Sequence, residues 1–240
     1  MSCKLIVRRS VPGDIQKRQE IIRNSYSTGF IDTFLFFFFQ ELTLECCVLS
    51  GAVLFIFCGV SARGCLLLVP AAVAVVTAAV LLQQYTLSLK HAQSIHGEIF
   101  GVVVEARGAL LPPPGALPIC VRLNDGLPDE NQAYMYTHIV GTASVSEFWG
   151  SMRSGWLHSM VVDAQWRRRG AGAALAGGAR RLAAAAGLHS LECVVSPLQH
   201  AAKQLLQAAG WECRGSYERA VVGTALTLPL LRLGTDLPLA

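Results

Sequence analysis

The chain has 240 residues, 52% of them hydrophobic and only 15% charged, with a mean hydropathy of +0.44. That length holds one large or two small domains with an ample core, but the composition is too apolar for an ordinary soluble protein and excludes a disordered chain. A net charge of +4 is too small to argue for nucleic acid, and the eight cysteines form no CxxC pair and no zinc-like spacing, so no metal is expected and the thiols read as reduced.

In chain order, LIVRR (residues 5–9) is a short strand candidate, broken by Pro12-Gly13-Asp14. Asp14 can cap a helix reaching about residue 25, with Ile15, Ile21 and Ile22 on one side. FIDTFLFFFFQEL follows, aromatic on nearly every face and too short to span a bilayer. It reads as an interfacial helix over residues 31–43.

LECCVLSGAVLFIFCGV (44–60) and CLLLVPAAVAVVTAAVLL (65–82) each approach the ~20 residues that cross a hydrocarbon core. Only Ser61-Ala62-Arg63-Gly64 joins them, so the two run antiparallel as a transmembrane helical hairpin over residues 44–82. Pro70 is tolerated in such a helix, where neighbours re-satisfy the freed carbonyl. The bland alternative is a buried pair of core helices, against which stands the charge-free length of 65–82. No signal peptide is expected, because the apolar runs begin behind a long polar segment. Lys4, Arg8, Arg9, Lys17, Arg18 and Arg23 precede the hairpin and Lys90 follows it, whereas the loop holds only Arg63. The positive-inside rule puts both flanks in the cytosol.

IFGVVVEA (99–106) is a buried-strand pattern, and residues 110–131, with five prolines, read as a loop or linker. HIVGTASVSEF (138–148) and LHSMVVD (157–163) are further strands. The second runs into RRRGAGAALAGGARRL (167–182), three arginines against Gly170-Ala171-Gly172 at the head of a helix ending near Ala186, with Gly187 as its C-cap. LECVV (191–195) is a strand, residues 199–209 a helix stopped by Gly210, and WECRGSY and RAVVGTALTL two closing strands. The order β-α-(insert)-β-β-β-α-β-α-β-β is an α/β mixed sheet flanked by helices. Residues 1–30 and 98–240 form one domain interrupted by the hairpin.

A helix N-terminus already carries partial positive charge, so cations gathered there ask for an anion. Glycines in that turn let main-chain N–H groups approach phosphate oxygens. The stretch is not a Walker A loop, nor does it keep the Rossmann GxGxxG order. It does match Arg-x-x-Gly-x-Gly between a strand and a helix. That pattern resembles the pyrophosphate loop of the Gcn5-related N-acetyltransferase (GNAT) superfamily, which binds acetyl-CoA.

QHAAKQLLQAAGW also resembles the superfamily's Asn-x-x-Ala-x-x-x-Tyr-x-x-x-Gly-Phe helix, with Gln199, Ala202, Leu206, Gly210 and Trp211 at the matching places. The apolar hairpin after the first helix is similar to that of the camello-like, endoplasmic-reticulum-anchored N-acetyltransferases, whose members act on cysteine conjugates, aspartate or protein lysines. Specific similarity covers about residues 157–211.

The resemblance implies a GNAT-like fold with an inserted hairpin, in the endoplasmic-reticulum membrane with the catalytic domain facing the cytosol. It further implies acetyl-CoA held by Val161, Val162, Arg167, Arg168, Arg169, Gly170, Ala171, Gly172, Ala173 and Gln199. In the superfamily the tyrosine protonates the departing CoA thiolate; Leu206 cannot. Three readings follow: unaided departure, a substitute donor such as Tyr217 or Ser196, or acyl-CoA binding without turnover.

The acceptor amine must lose a proton, so a base near the middle strands is expected. His158 is the candidate, with Glu147 and His138 on the neighbouring strand. A satisfied structural histidine is the alternative for His158, and helix capping the alternative for Asp163. Simple alternation puts His158 on the face of Met160 and Val162, opposite Ser159 and Val161. A competing class is an interaction protein whose basic cluster touches anionic lipid, which would not require Gly170 and Gly172 at that spacing.

Overall fold

The computed structural model describes residues 2–26, 30–108, 120–124, 136–148, 150, 153–196, 199–222 and 226–238. Its frame is one eight-stranded mixed sheet in the order β3-β1-β2-β4-β5-β6-β8-β7. The strands are β1 (Ser2–Arg9), β2 (Phe100–Gly108), β3 (Cys120–Asn124), β4 (Tyr136–Glu147), β5 (Ser154–Val162), β6 (Ser190–Val195), β7 (Glu212–Val222) and β8 (Leu226–Asp236). The β1–β3 and β5–β6 pairs are parallel and the others antiparallel.

The central strands are buried on both faces, which is why β2 reads as a continuous apolar run. Val102 and Val104 join the main core, under α6 (Ala171–Ala185) and α7 (His200–Ala208). Val103 points the other way, onto Ile21 of α1 (Ile15–Tyr26). Small residues let α6 lie close to the sheet: a Cβ on Gly178 would sit 2.4 Å from the Val7 side chain.

β3 corrects the loop expected over 110–131. CVRLN pairs parallel to β1, Ser2 opposite Cys120, and extends the sheet edge. The proline count of the window masked five residues that alone suit a strand. The rest of that expected loop, 110–119 and 125–131, lies outside the described residues.

The insertion comprises α2 (Phe30–Phe38), α3 (Glu41–Phe57), the short α4 (Ala62–Cys65) and α5 (Leu68–Gln93). The helix expected over 31–43 breaks at Gln40, whose extended backbone (ψ 140°) caps α3, and α2 and α3 meet at 54°. α5 continues eleven residues past Leu82, because the polar run QQYTLSLKHAQ consists largely of good helix formers. That extension packs against α1 and buries Ser88 and Ala92.

The apolar helices double back. Leu68 lies 3.5 Å from where a Cβ on Gly51 would stand, while Phe37 packs with Val76 and Val80. Rising numbers on one limb meet falling numbers on the other, as the short join requires. No residue of α3 is buried, and Phe57 is 80% and Leu67 72% exposed. Among the described residues one helix, Arg63–Gly97, is long and apolar enough to cross a membrane, and the bent α2–α3 pair passes the same test jointly.

Candidate acetyl-transfer site

β5 and β6 are paired only from Ser154↔Ser190 to Trp156↔Glu192, although β5 runs on to Val162 and β6 to Val195. The strands therefore part after Trp156. β5 stays bonded to β4 on its other edge, Leu157 opposite Val145 and Val161 opposite Thr142. Its β6-side backbone groups beyond Trp156 are left without ladder partners, which orphaned amides and carbonyls do not tolerate unless water or a ligand meets them.

At the open end of this wedge the chain turns through Asp163 and a 3-10 turn (Ala164–Trp166) into the basic loop. Asp163 is the cap of that turn, its Oδ1 accepting from the Gln165 amide at 3.1 Å. Trp166 is buried and Arg169 lies over its ring at 5.7 Å, while Arg167 donates to the Val162 carbonyl at 3.2 Å. Arg168 (φ 62°) and Gly170 (φ 84°) are both left-handed, and Gly170 caps α6. A Cβ on Gly170 would meet nothing within 4 Å. The first N–H groups of α6, at Ala171, Gly172 and Ala173, have no intrahelical acceptors, and the space beside Gly170 at their head is unfilled.

Gly172 has a packing role that its spacing did not imply. A Cβ there would sit 2.6 Å from Leu205 of α7, so the missing side chain at Gly172 permits the α6–α7 contact. Gln199 is likewise engaged locally: its Oε1 accepts from the Ser196 amide at 3.1 Å and organises the turn before α7.

Below the loop, His158 sits where β5 leaves β6. Its Nε2 is 2.7 Å from Ser146 Oγ, and its Nδ1 is 3.1 Å from Ser159 Oγ and 3.4 Å from Ser94 Oγ. Burial, with a smaller contribution from His91, lowers its pKa to about 4, so the imidazole is neutral at physiological pH. Simple alternation assigned its face wrongly. Ser159 has φ 50°, and the β4–β5 register shifts between Thr142 and Ser144. This bulge brings His158, Ser159 and Val161 onto the α1/α5 face and leaves Met160 and Val162 against the main core.

Of the other candidates, His138 precedes Ser144, the partner of His158, by six residues along β4, roughly 20 Å at strand spacing. Glu147 is exposed at the strand end. Tyr217 is 47% exposed on β7, the sheet's edge strand, two residues before Arg219, whose charge acts on His91. Leu206 is 3% exposed within the main apolar core.

Sequence reasoning missed the residues that face His158 from the insertion. His91 and Ser94 stand one helical turn apart at the end of α5, and the dense polar run KHAQSIH directly after the apolar segment was the available signal. It also missed Arg18. This side chain is 1% exposed and grips Glu98 with two bonds of 2.6 and 2.7 Å, adding Thr142 and Ser144 hydroxyls. Among the described residues no cluster of His, Cys, Asp or Glu could hold a metal ion.

The Acetyltransferase (GNAT) family model matches residues 120–211, which run from β3 to the start of β7. A provisionally assigned phosphinothricin N-acetyltransferase aligns over 98% of this chain and 99% of its own, at 14% identity and a TM-score of 0.50, a likeness of fold. The ribosomal-protein-S18-alanine N-acetyltransferase from Escherichia coli aligns over 42% of this chain and 64% of its own, at 18% identity and a TM-score of 0.37. This chain thus spans just under two thirds of that relative. An acetyltransferase from Bacillus subtilis in complex with CoA aligns over 61% and 81%, at 12% identity and a TM-score of 0.40. No curated protein matches the chain significantly.

Proposed function

From a GNAT-like fold whose central segment matches the GNAT acetyltransferase family, we propose that this chain is a membrane-anchored N-acetyltransferase moving an acetyl group from acetyl-CoA to an amine. The observation that carries the reading is the left-handed, unobstructed Gly170 at the head of α6, directly above the point where β5 and β6 part. Backbone N–H groups from Gly170 to Ala173 hold the pyrophosphate, with Arg167, Arg168 and Arg169 around them. The amide-bearing arm of CoA follows the unpaired edge of β5 by Val161 and Val162, which brings the thioester towards His158.

The amine attacks the thioester carbon as it loses a proton, and neutral His158 belongs to the network that receives it. No acid replaces the family tyrosine at Leu206, so the thiolate departs and takes its proton from water. A thiolate is a modest base, its thiol having a pKa of ~8.5, and unassisted departure is feasible. The burial of Leu206 in an apolar core favours one second reading: a chain that binds acyl-CoA with little turnover and acts as an interaction module. Thiol release from acetyl-CoA over a panel of amino acids, cysteine conjugates and lysine peptides separates the two. Turnover with at least one amine is expected. Tight acetyl-CoA binding without thiol release across the panel contradicts catalysis.

The exposed apolar surface of α3 and the upper part of α5 requires cover, and a bilayer is the cover proposed here. We place the chain in the endoplasmic-reticulum membrane with both flanks of the hairpin in the cytosol. Full-length protein is expected to stay in the membrane pellet under carbonate extraction. Release into the supernatant refutes the anchor.

A further inference from the structure

We propose that Ser159 is a catalytic residue that takes the proton from the acceptor amine, and that His91 and His158 are the two imidazoles that relay it onward to solvent. This rests on the acetyl-transfer reading and names groups at the same site.

Four polar atoms converge on the Ser159 hydroxyl: His158 Nδ1 at 3.1 Å, His91 Nδ1 at 3.4 Å, the His91 carbonyl at 3.4 Å and Ser94 Oγ at 3.4 Å. The residue lies past the last β5–β6 pair, where the wedge opens. Its backbone is left-handed without being glycine, at φ 50°, a sparsely populated conformation that persists only where the surrounding structure holds it. The bulge is what turns this hydroxyl towards α5.

Neighbouring bonds define its direction. Ser94 donates to the His91 carbonyl at 2.8 Å, and Ser146 has the Gly97 carbonyl as an acceptor at 3.3 Å. With Ser146 turned that way, His158 Nε2–H donates to Ser146, and Nδ1 carries the lone pair that accepts from Ser159. Ser159 is then a hydroxyl polarised by one neutral imidazole with a second beside it.

The step balances as follows. The amine's lone pair forms the N–C bond to the acetyl carbon, and the N–H bond breaks with its electron pair left on nitrogen. The proton goes to Ser159 Oγ as the Ser159 O–H proton passes to Nδ1 of His158 or His91. The C–S bond breaks, its pair leaving on the CoA thiolate, which is protonated from water. The charged groups facing the two imidazoles are the Arg18–Glu98 pair, Lys90 and Arg219.

The test uses full-length protein in detergent micelles, with hydroxylamine as a small acceptor and CoA thiol release as the readout. Ser159→Gly removes the hydroxyl and suits the left-handed backbone. It is expected to lower transfer about 10²-fold while the acetyl-CoA KM is retained. His91→Asn keeps a hydrogen-bonding group but cannot titrate, and is expected to flatten the rise of rate with pH. Transfer that survives Ser159→Gly with the wild-type pH profile overturns the role of Ser159 alone. No transfer by the wild type above the uncatalysed rate to hydroxylamine or to any amine, cysteine conjugate or lysine peptide of the panel, with acetyl-CoA still bound, overturns the acetyl-transfer reading itself. If Ser159→Gly does not fold, His91→Asn decides, and an unchanged pH profile counts against the proposal.

Discussion

Gly170→Glu is expected to abolish the proposed acetyl-CoA binding while the domain stays folded. Gly170 adopts φ 84°, so any other residue there bears roughly 1–2 kcal/mol of backbone strain. For a chain of this size that lowers Tm by only a few degrees. The new side chain meets nothing within 4 Å of its Cβ, so the fold accommodates it. Its carboxylate then stands at the head of α6, satisfying the same N–H groups and helix dipole that the phosphates need. The expected loss in affinity is at least about 10²-fold by calorimetry, since bulk and like charge act together. Gly170→Ala carries the same strain without the charge and should bind more weakly than wild type yet far better than the glutamate variant. Equal CoA affinity in wild type and Gly170→Glu ends the assignment.

Glu98→Ala is expected to be the most damaging single change to stability. Arg18 is 1% exposed, and Glu98 supplies its only carboxylate partner among the described contacts. Removing one member of such a pair strands the other's charge, typically at about 3–5 kcal/mol. A melting temperature roughly 10 °C lower follows for a chain of this length. Arg18→Met with Glu98→Leu removes both charges and should recover much of the loss. Gly101 belongs to the same arrangement, because a Cβ there would lie 2.5 Å from the guanidinium nitrogens. A Tm within about 2 °C of wild type for Glu98→Ala would show the pair to be unimportant for stability.

The pair also ties the insertion to the site. Arg18 belongs to α1, ahead of the apolar helices, and Glu98 follows them, in the turn that carries Ser94 and Gly97. Loosening it should move Ser94 and His91 relative to His158.

Much of this was legible because single segments announced it. The valines of β2 read as a doubly covered strand, and the glycines after the three arginines read as a helix head, where α6 begins. What was hidden depended on partners distant in sequence. Arg18 was counted as a flanking cation for membrane orientation, yet it is buried and paired across 80 residues of chain. Arg8 is similarly held by Asp14 and Glu105. β3 is too short to emerge from its prolines. The face of His158 turns on one left-handed serine, which no alternation rule anticipates. Gly172 looked like its neighbour Gly170, but Leu205 lies against the first while the space beside the second is unfilled, a difference set by a residue 33 positions away.

The central claim, that acetyl-CoA sits on the loop between β5 and α6, is tested most directly by amide hydrogen exchange on the full-length protein with and without CoA. Arg168, Gly170 and Ala173 are exposed, and the first amides of α6, Ala171 to Ala173, have no intrahelical acceptor, so this segment should exchange fast in the free protein. Saturating CoA is expected to slow it at least tenfold, while β1 and β2 remain unchanged. Protection elsewhere with this segment exchanging at its free rate would contradict the account.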